Sequence, residues 1–330
     1  MKNQKPFNAP DAPLPVGKRH QHRSSPVVGV LLCTYNGEQY ISQQIDSIVD
    51  QSHQNWKIYI SDDGSTDSTL QILEGYQQKI GQERLQVFQG PKAGFAKNFL
   101  SMINRDEIEA DYFAFSDQDD IWLKDKLERS LNFFSDASAD GPTLYCSRTI
   151  LFGKNNSKKE TSPLFKAPPS FKNALVQSLA GGNTMLINGI GRELLKGVSS
   201  KFEIVSHDWI TYLIISGCGG QVIYDPEPTV LYRQHENNLI GGNMSLQDRI
   251  NRLRKVLGGS FIEWNDNNLL IINSLKVTLT DQNKTTLECF ELARKSSFLK
   301  RIALIIKSGV YRQTVAGNIS LAIATVLNKL

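Results

Sequence analysis

Cysteine is scarce in this chain. Its four residues, Cys33, Cys146, Cys218 and Cys289, are far apart and form no CxxC pair. That spacing excludes a zinc ribbon or a disulfide scaffold and points to small buried side chains in a reducing compartment. Long apolar runs are also missing. No stretch approaches the ~18 uninterrupted apolar residues of a spanning helix. Residues 1–25, rich in Pro, Asn, Lys and Arg, lack the apolar core of a signal peptide and read as a flexible tail. A cytoplasmic protein is the expectation. Charge of one sign is in short supply as well. A net charge of +4 and a pI near 8.7 suit anionic ligands or a lipid headgroup surface, and are too weak for nucleic acid. No G-x-G-x-x-G follows the first apolar run, which disfavours a dinucleotide-binding oxidoreductase.

What is present is an alternating pattern. Apolar residues make up 40% of the chain, enough for a sizeable core. Val27–Cys33 is a continuous apolar run of the kind buried on both faces of a parallel sheet. Ile41, Ile45, Ile48 and Val49 then recur at helical spacing. Trp56–Ile60, Leu85–Gln89 and Tyr112–Phe115 read as further strands. Helices are predicted between them, one burying Leu70, Leu73 and Ile80, the next Phe95, Phe99, Met102 and Ile103. Leu123, Leu127, Leu131 and Phe134 mark another. Strand starts lie about 28 residues apart, the rhythm of βαβ units. The second half is less regular. Leu144–Cys146, Thr184–Ile187, Gln221–Tyr224 and Thr229–Tyr232 are strand candidates, and Trp209–Ile215 is a helix. From Ser245 the texture turns helical and basic, first around Leu246, Ile250, Leu253 and Leu257, then from Phe298 to Leu330. The predicted layout is a tail over 1–25, an α/β domain over 26–240 and a C-terminal helical region over 241–330.

In open α/β sheets ligands bind at the carboxyl ends of the strands. Three polar clusters fall there: Thr34-Tyr35-Asn36, Asp62-Asp63 and Asp117-Gln118-Asp119-Asp120. One acidic turn means little, since Asp residues serve turns and caps. Asp67 is read as such a cap, and Asp120 is read equally as a site residue or the cap of the next helix. Two acidic turns on one edge suggest a hard divalent cation, Mg²⁺ or Mn²⁺, which prefers carboxylate oxygen. Such an ion would neutralise a departing diphosphate. Asp119 is the first-choice ligand, with Asp117 nearer a ribose or sugar. Asp208 opens the Trp209–Ile215 helix, where the helix dipole favours its ionised form. His207 beside it is a second candidate base, as imidazole suits neutral pH.

Residues 28–37 (VGVLLCTYNG), 60–67 (ISDDGSTD) and 115–122 (FSDQDDIW) resemble those of family 2 glycosyltransferases. So do Gly94–Phe99, His207-Asp208-Trp209 and Leu231–His235, and the resemblance spans roughly residues 27 to 240. It is nearest to the bacterial rhamnosyltransferase-like branch that builds O-antigen and other surface polysaccharides. Ser308–Gln313 is similar to that branch's C-terminal region. The resemblance implies a GT-A fold and inverting transfer from a nucleotide-diphosphate sugar, dTDP-L-rhamnose being one candidate, to a glycan or lipid-linked acceptor. It also lends roles to matching positions. Thr34, Tyr35 and Asp63 would recognise base and ribose, and Lys97 a phosphate. Asp117 and Asp119 would be the D-x-D pair, Asp208 the catalytic base, and His235 a contact of metal or diphosphate.

Rival readings make weaker use of the same residues. A sugar-nucleotide pyrophosphorylase would want a glycine-rich loop where Thr34-Tyr35-Asn36-Gly37-Glu38 stands. An aspartyl-phosphate phosphatase using Asp117 and Asp119 leaves Asp62-Asp63 and His207-Asp208-Trp209 unexplained. A binding module without turnover would have no need of both Asp119 and Asp208. Lys300, Arg301, Lys307, Arg312 and Lys329 among aliphatic neighbours suggest peripheral contact with the inner face of an anionic membrane; the alternative is ordinary charges on helices packed against the catalytic domain.

Overall fold

A computed structural model describes residues 25–136, 141–153, 160–198, 201–235, 260–275 and 278–330. The predicted tail, the boundary near 241 and the helix around Leu246–Leu257 lie outside the described residues. The first half follows the predicted alternation: β1 (Val28–Thr34), α1 (Ile41–Val49), β2 (Trp56–Asp62), α2 (Thr69–Ile80), β3 (Leu85–Gln89), α3 (Phe95–Ile103) and β4 (Tyr112–Ser116). β1 is buried along its whole length. Its side chains alternate between two cores, as a strand period of two requires. Val28, Val30 and Leu32 meet Ile41, Ile45 and Ile48 of α1, while Leu31 and Cys33 meet Phe99 and Met102 of α3. Helices therefore cover both faces of the sheet.

The remaining elements are β5 (Ile121–Trp122), α4 (Lys126–Asp136), β6 (Thr143–Gly153), β7 (Glu160–Thr161), α5 (Phe171–Ala174), a 3₁₀ turn (Gly182–Thr184), β8 (Leu186–Asn188), α6 (Gly189–Lys196), α7 (His207–Gly217) and β9 (Gln221–Gln234). Sheet order is β3-β2-β1-β4-β8-β6-β9-β5, with β7 beside β6. β3, β2, β1 and β4 are mutually parallel. β6 and β9 are parallel as well, over the longest ladder of the sheet, so the sheet is mostly parallel as predicted, with short antiparallel additions. β8 pairs antiparallel with both β4 and β6, and β5 pairs antiparallel with β9. The two strands expected around Pro226 and Pro228 are one strand, β9, whose register against β6 shifts at Ser147–Thr149. Proline donates no ladder hydrogen bond, so the strand bends there and continues.

C-terminal helices α8 (Ser260–Ser274), α9 (Asp281–Arg294), α10 (Phe298–Ser308) and α11 (Val315–Val326) follow. They are built onto the α/β layer. Phe261, Ile272, Phe290, Val310 and Leu321 belong to the same apolar core as Trp209, Leu213 and Phe171. Asn283 caps the end of α7, its Nδ2 donating to the Ser216 and Gly217 carbonyls at 3.0 and 2.9 Å. Asn173 Nδ2 donates to the Tyr311 carbonyl at 2.9 Å.

An ion pair, buried on its aspartate side, pins the bent β9 to α4. Arg129 Nη2 donates to Asp225 Oδ1 at 2.9 Å, and Tyr145 Oη donates to Asp225 Oδ2 at 2.7 Å. Burial alone would raise the Asp225 pKa. Hydrogen bonds from Arg129, the Glu227 N–H and Tyr145 outweigh burial and hold it below its ordinary 3.8. Such a pair is costly to break on one side, because a dry charge is left alone. Arg129→Ala should lower unfolding free energy by about 3 kcal/mol in urea denaturation. The depressed carboxylate contributes stability above its unfolded pKa and loses it as pH falls through the folded one. The variant should therefore show a smaller pH-dependent stability loss below about pH 4 than the parent.

Candidate functional site

Strand order places the site. The chain leaves β1 toward β2 and β3, then returns to its other side as β4, so a crevice opens between the carboxyl ends of β1 and β4. Thr34 ends β1, and Asp117 to Asp120 follow β4. The two turns are stitched together by Gln118. Its Oε1 accepts from Thr34 Oγ1 at 2.6 Å and Tyr35 N at 2.9 Å, and its Nε2 donates to the Tyr35 carbonyl at 3.1 Å. Thr34 is buried by this arrangement, while the Tyr35 ring is 56% exposed at the mouth.

Asp63, at the end of β2, is also engaged. Its Oδ1 accepts from Lys92 N at 2.6 Å and its Oδ2 from Gly94 N at 2.8 Å. Gly94 has φ +86, a region that disfavours a side chain, and this conformation lets its N–H reach the carboxylate just before α3 begins. Asp62 turns inward on its own loop, accepting from Gly64 N at 3.0 Å and Ser65 N at 2.9 Å. Asp67 receives Thr69 N at 3.0 Å and Glu38 N at 3.1 Å, a turn and cap role. Lys97, on α3, points to the segment before α7 and pairs with Glu203 at 2.6 Å.

The acidic turn after β4 meets β9 because β5 pairs with it, Ile121 opposite Leu231 and Trp122 opposite Val230. This short antiparallel clip brings residues 116 apart in sequence into contact. His235 Nε2 lies 2.7 Å from Asp119 Oδ2, and its ring stacks on Tyr40 at 5.1 Å between centroids. Arg233 Nε donates to the Asp119 carbonyl at 2.8 Å, and its backbone N–H to Asp120 Oδ1 at 3.2 Å. Its guanidinium lies over the Tyr40 and Phe152 rings and donates to Gln43 Oε1 at 2.6 Å.

The turn is strongly acidic and partly buried. Burial, and then the charges of Asp120, Asp119 and Asp208, hold Asp117 well above the ordinary carboxylate range. Asp120 is wholly buried and likewise raised, by burial and by Asp119, against hydrogen bonds from Asn183 and Arg233. Lys126 lies beneath it with no exposed surface, its Nζ 4.4 Å from the Trp122 ring centroid. Burial pushes that ammonium down to about 7, against the pull of Asp120. Lys126 and Gln118 were not anticipated as site residues. Lys126 had a signal, since it stands three residues after Leu123 on the apolar stripe of α4, where a lysine must be either paired or dry. Gln118 had none apart from its place inside the acidic turn.

Asp208 lies in the first turn of α7. Its Oδ1 accepts from Trp209 N at 2.7 Å. Burial raises its pKa above the ordinary 3.8, against the Ser206 hydroxyl and the Trp209 N–H. Asp208 acts electrostatically on Asp117, so the two turns lie near one another. His207 points the other way, into a cage of Phe95, Phe99 and Phe115, stacked on Phe99 at 3.8 Å. Burial lowers its pKa to about 3. Among the described residues no three His, Cys, Asp or Glu side chains gather as a ready-made metal cage. The pair Asp119–His235, each side chain under a fifth exposed, still fits a hard divalent ion. Mg²⁺ and Mn²⁺ sites commonly take one or two protein ligands and complete the shell with substrate phosphate oxygens and water.

Known proteins carry the same pattern. The Glycosyl transferase family 2 model matches residues 29–194. The dTDP-rhamnosyl transferase RfbG of Shigella flexneri is 33% identical over 233 residues, 67% of this chain and 78% of that one. TuaG of Bacillus subtilis, a glycosyltransferase named for teichuronic acid biosynthesis, is 34% identical over 168 residues, 49% of this chain and 62% of that protein. Among solved structures, Staphylococcus aureus TarS (residues 1–349) in complex with UDP-GlcNAc superposes with a TM-score of 0.53 at 16% identity, over 92% of this chain and 88% of that one. The mannosyltransferase PcManGT of Pyrobaculum calidifontis, in complex with GDP-Man and Mn²⁺, gives 0.50 at 14% identity, over 92% and 86%. At such identities the structural likeness speaks for the fold alone, and that fold is GT-A. With the family model matching half of the sequence and RfbG a third identical over two thirds of it, the chain belongs to glycosyl transferase family 2.

Proposed function

We propose that this protein is an inverting, divalent-cation-dependent glycosyltransferase that moves a deoxyhexose such as L-rhamnose from a dTDP-type donor to a hydroxyl of a glycan or lipid-linked acceptor. The observation that supports this most is the contact of His235 with Asp119 in the acidic turn, with Asp208 near enough to act electrostatically on Asp117. The sugar assignment rests on the likeness to RfbG.

In this reading Tyr35 offers its exposed ring to the base, and Thr34, through Gln118, fixes the loop that carries it. Asp63 sets the path of the Lys92–Gly94 backbone beside the ribose. Lys97 exchanges Glu203 for a donor phosphate. Asp119 and His235 hold Mg²⁺ or Mn²⁺, and Asp117 faces the ribose or sugar. The ion, when bound, neutralises charge that builds on the leaving diphosphate. Asp208 accepts the proton of the acceptor hydroxyl as its oxygen attacks the anomeric carbon from the face opposite the diphosphate. A carboxyl with a raised pKa is a stronger base once ionised, and the first turn of α7 favours the ionised form. His207 cannot share this work. Its neutral ring is buried, and its pKa near 3 makes it a poor proton acceptor. It serves Asp208 by packing, since the ring fills the space over Gly182. A Cβ on Gly182 would stand 2.0 Å from His207 Nε2.

Asp208→Asn should lower kcat by about 10²- to 10⁴-fold and leave dTDP affinity, read by calorimetry with Mg²⁺ or Mn²⁺, unchanged. Turnover near that of the parent would remove Asp208 from the base role. In the parent, kcat should fall as pH drops through the raised Asp208 pKa, which lies above 3.8, because protonation removes the base. Asp119→Asn should abolish cation-dependent binding of dTDP without changing the melting temperature much. If cation dependence persisted, the ligand assignment would fail. Gly182→Ala should force the His207 ring aside and cost about 1–3 kcal/mol of stability. It should depress kcat more than donor affinity; equal loss of both would place Gly182 on the donor side.

A further inference from the structure

The last two helices form a hairpin with one unusual property. Arg301, only 7% exposed, donates from Nη1 to the Thr325 carbonyl at 3.0 Å and from Nη2 to the Ser296 carbonyl at 3.1 Å. The start of α10 is thereby clasped to the end of α11, and the two helices run antiparallel. Their inner sides are accounted for, since Val310, Leu321 and Ala324 enter the main core. Their outer sides are apolar. Leu299 and Ile306 on α10 are 78% and 74% exposed, and Val315, Ile319 and Val326 on α11 are 79%, 56% and 50% exposed. Residues seven apart on α10, and four then seven apart on α11, share a helix face. Each helix thus shows an apolar stripe to solvent. α11 carries no charged residue anywhere along its length. Aqueous surfaces seldom leave large apolar side chains contiguous in this way.

The charge around these stripes is of one sign. From Leu292 to Leu330 the sequence has seven Lys and Arg and no Asp or Glu. Because the whole chain is only +4, everything before that segment is net acidic. Lys295, Lys300 and Lys307 are exposed, and among the described residues no ion pair holds any of them. Two such faces brought together would set lysines against lysines. An anionic lipid surface satisfies both features together, since aliphatic side chains enter the headgroup–acyl boundary and lysines meet lipid phosphates.

We infer that the α10–α11 hairpin is a docking surface for an anionic lipid bilayer. The hairpin adds no membrane-spanning segment, because among the described residues no helix is long and apolar enough to cross one. The surface holds the protein on the leaflet. Its use, delivery of a lipid-linked acceptor to the cleft, rests on the function proposed above, but the docking itself does not.

The test is flotation of the full chain, with no donor or acceptor present, on phosphatidylcholine vesicles with and without phosphatidylglycerol. The protein should float with the anionic vesicles and stay behind with the neutral ones. Flotation should fall several-fold near 1 M salt, where the screening length is about 3 Å. The double variant Ile306→Glu/Ile319→Glu, altered only at exposed positions, should lose flotation while keeping its melting temperature. Lys300→Glu/Lys307→Glu, which leaves the stripes intact, should weaken it as well. The inference is overturned if the parent ignores anionic vesicles, binds neutral ones equally, or floats unchanged with these substitutions. A dimer in ultracentrifugation that Ile319→Glu splits, with no flotation, assigns the face to a second copy and overturns it too. Sugar transfer is not read in this experiment, so its failure leaves the proposed reaction standing, and failure of that reaction leaves the docking intact.

Discussion

The acidic turn after β4 keeps like charges close together in a partly buried place, and the structure around it depends on how they are held. Asp117, Asp119 and Asp120 share one turn, Asp208 acts on Asp117 electrostatically, and Asp117, Asp120 and Asp208 are pushed toward their protonated forms. Isolated carboxylates in such surroundings would neutralise themselves or draw in water. The fold counters with directed groups. The Arg233 backbone and Asn183 hydrogen-bond Asp120, Lys126 is buried beside it, and the first turn of α7 addresses Asp208. A region built at this electrostatic cost makes sense if a cation and a diphosphate complete it, and the proposed reaction brings both.

The arrangement follows from two features of the sheet. Reversal of strand order around β1 opens the crevice, as in other doubly wound sheets. The clip between β5 and β9 then closes it from the far side. Only two residue pairs make that clip, yet it sets Arg233 and His235 against the acidic turn. The bend in β9 that lets it reach so far is held by Arg129 and Asp225. Stability in one part of the sheet thus sets geometry in another.

The molecule is polar in a second sense. Its acidic crevice lies at the carboxyl edge of the sheet, whereas its basic and apolar surface lies on the terminal hairpin. The two are joined by packing. Phe261, Phe290 and Leu321 share a core with Trp209 and Leu213 of α7, the helix that carries Asp208. The C-terminal helices are therefore part of the body that positions the proposed base.

The sequence by itself determined the βαβ half of the fold, because continuous apolar strands and 3.6-residue stripes are local signals that tertiary contacts reinforce. It also marked Asp63, Asp117, Asp119 and Asp208 as worth watching, since acidic turns at strand ends and helix starts can be read from neighbours in the chain. Only the tertiary structure decided the antiparallel β5 and β8, the continuity of β9 through its two prolines, the capture of Lys97 by Glu203 and the retreat of His207 into three phenylalanines. It alone showed Lys126 dry beneath Asp120, and His235 in contact with Asp119. The physical reason is range. Periodicity and turn chemistry act over a few residues, whereas the partners of a charge or a buried ring are chosen by packing between segments that the chain brings together from far apart.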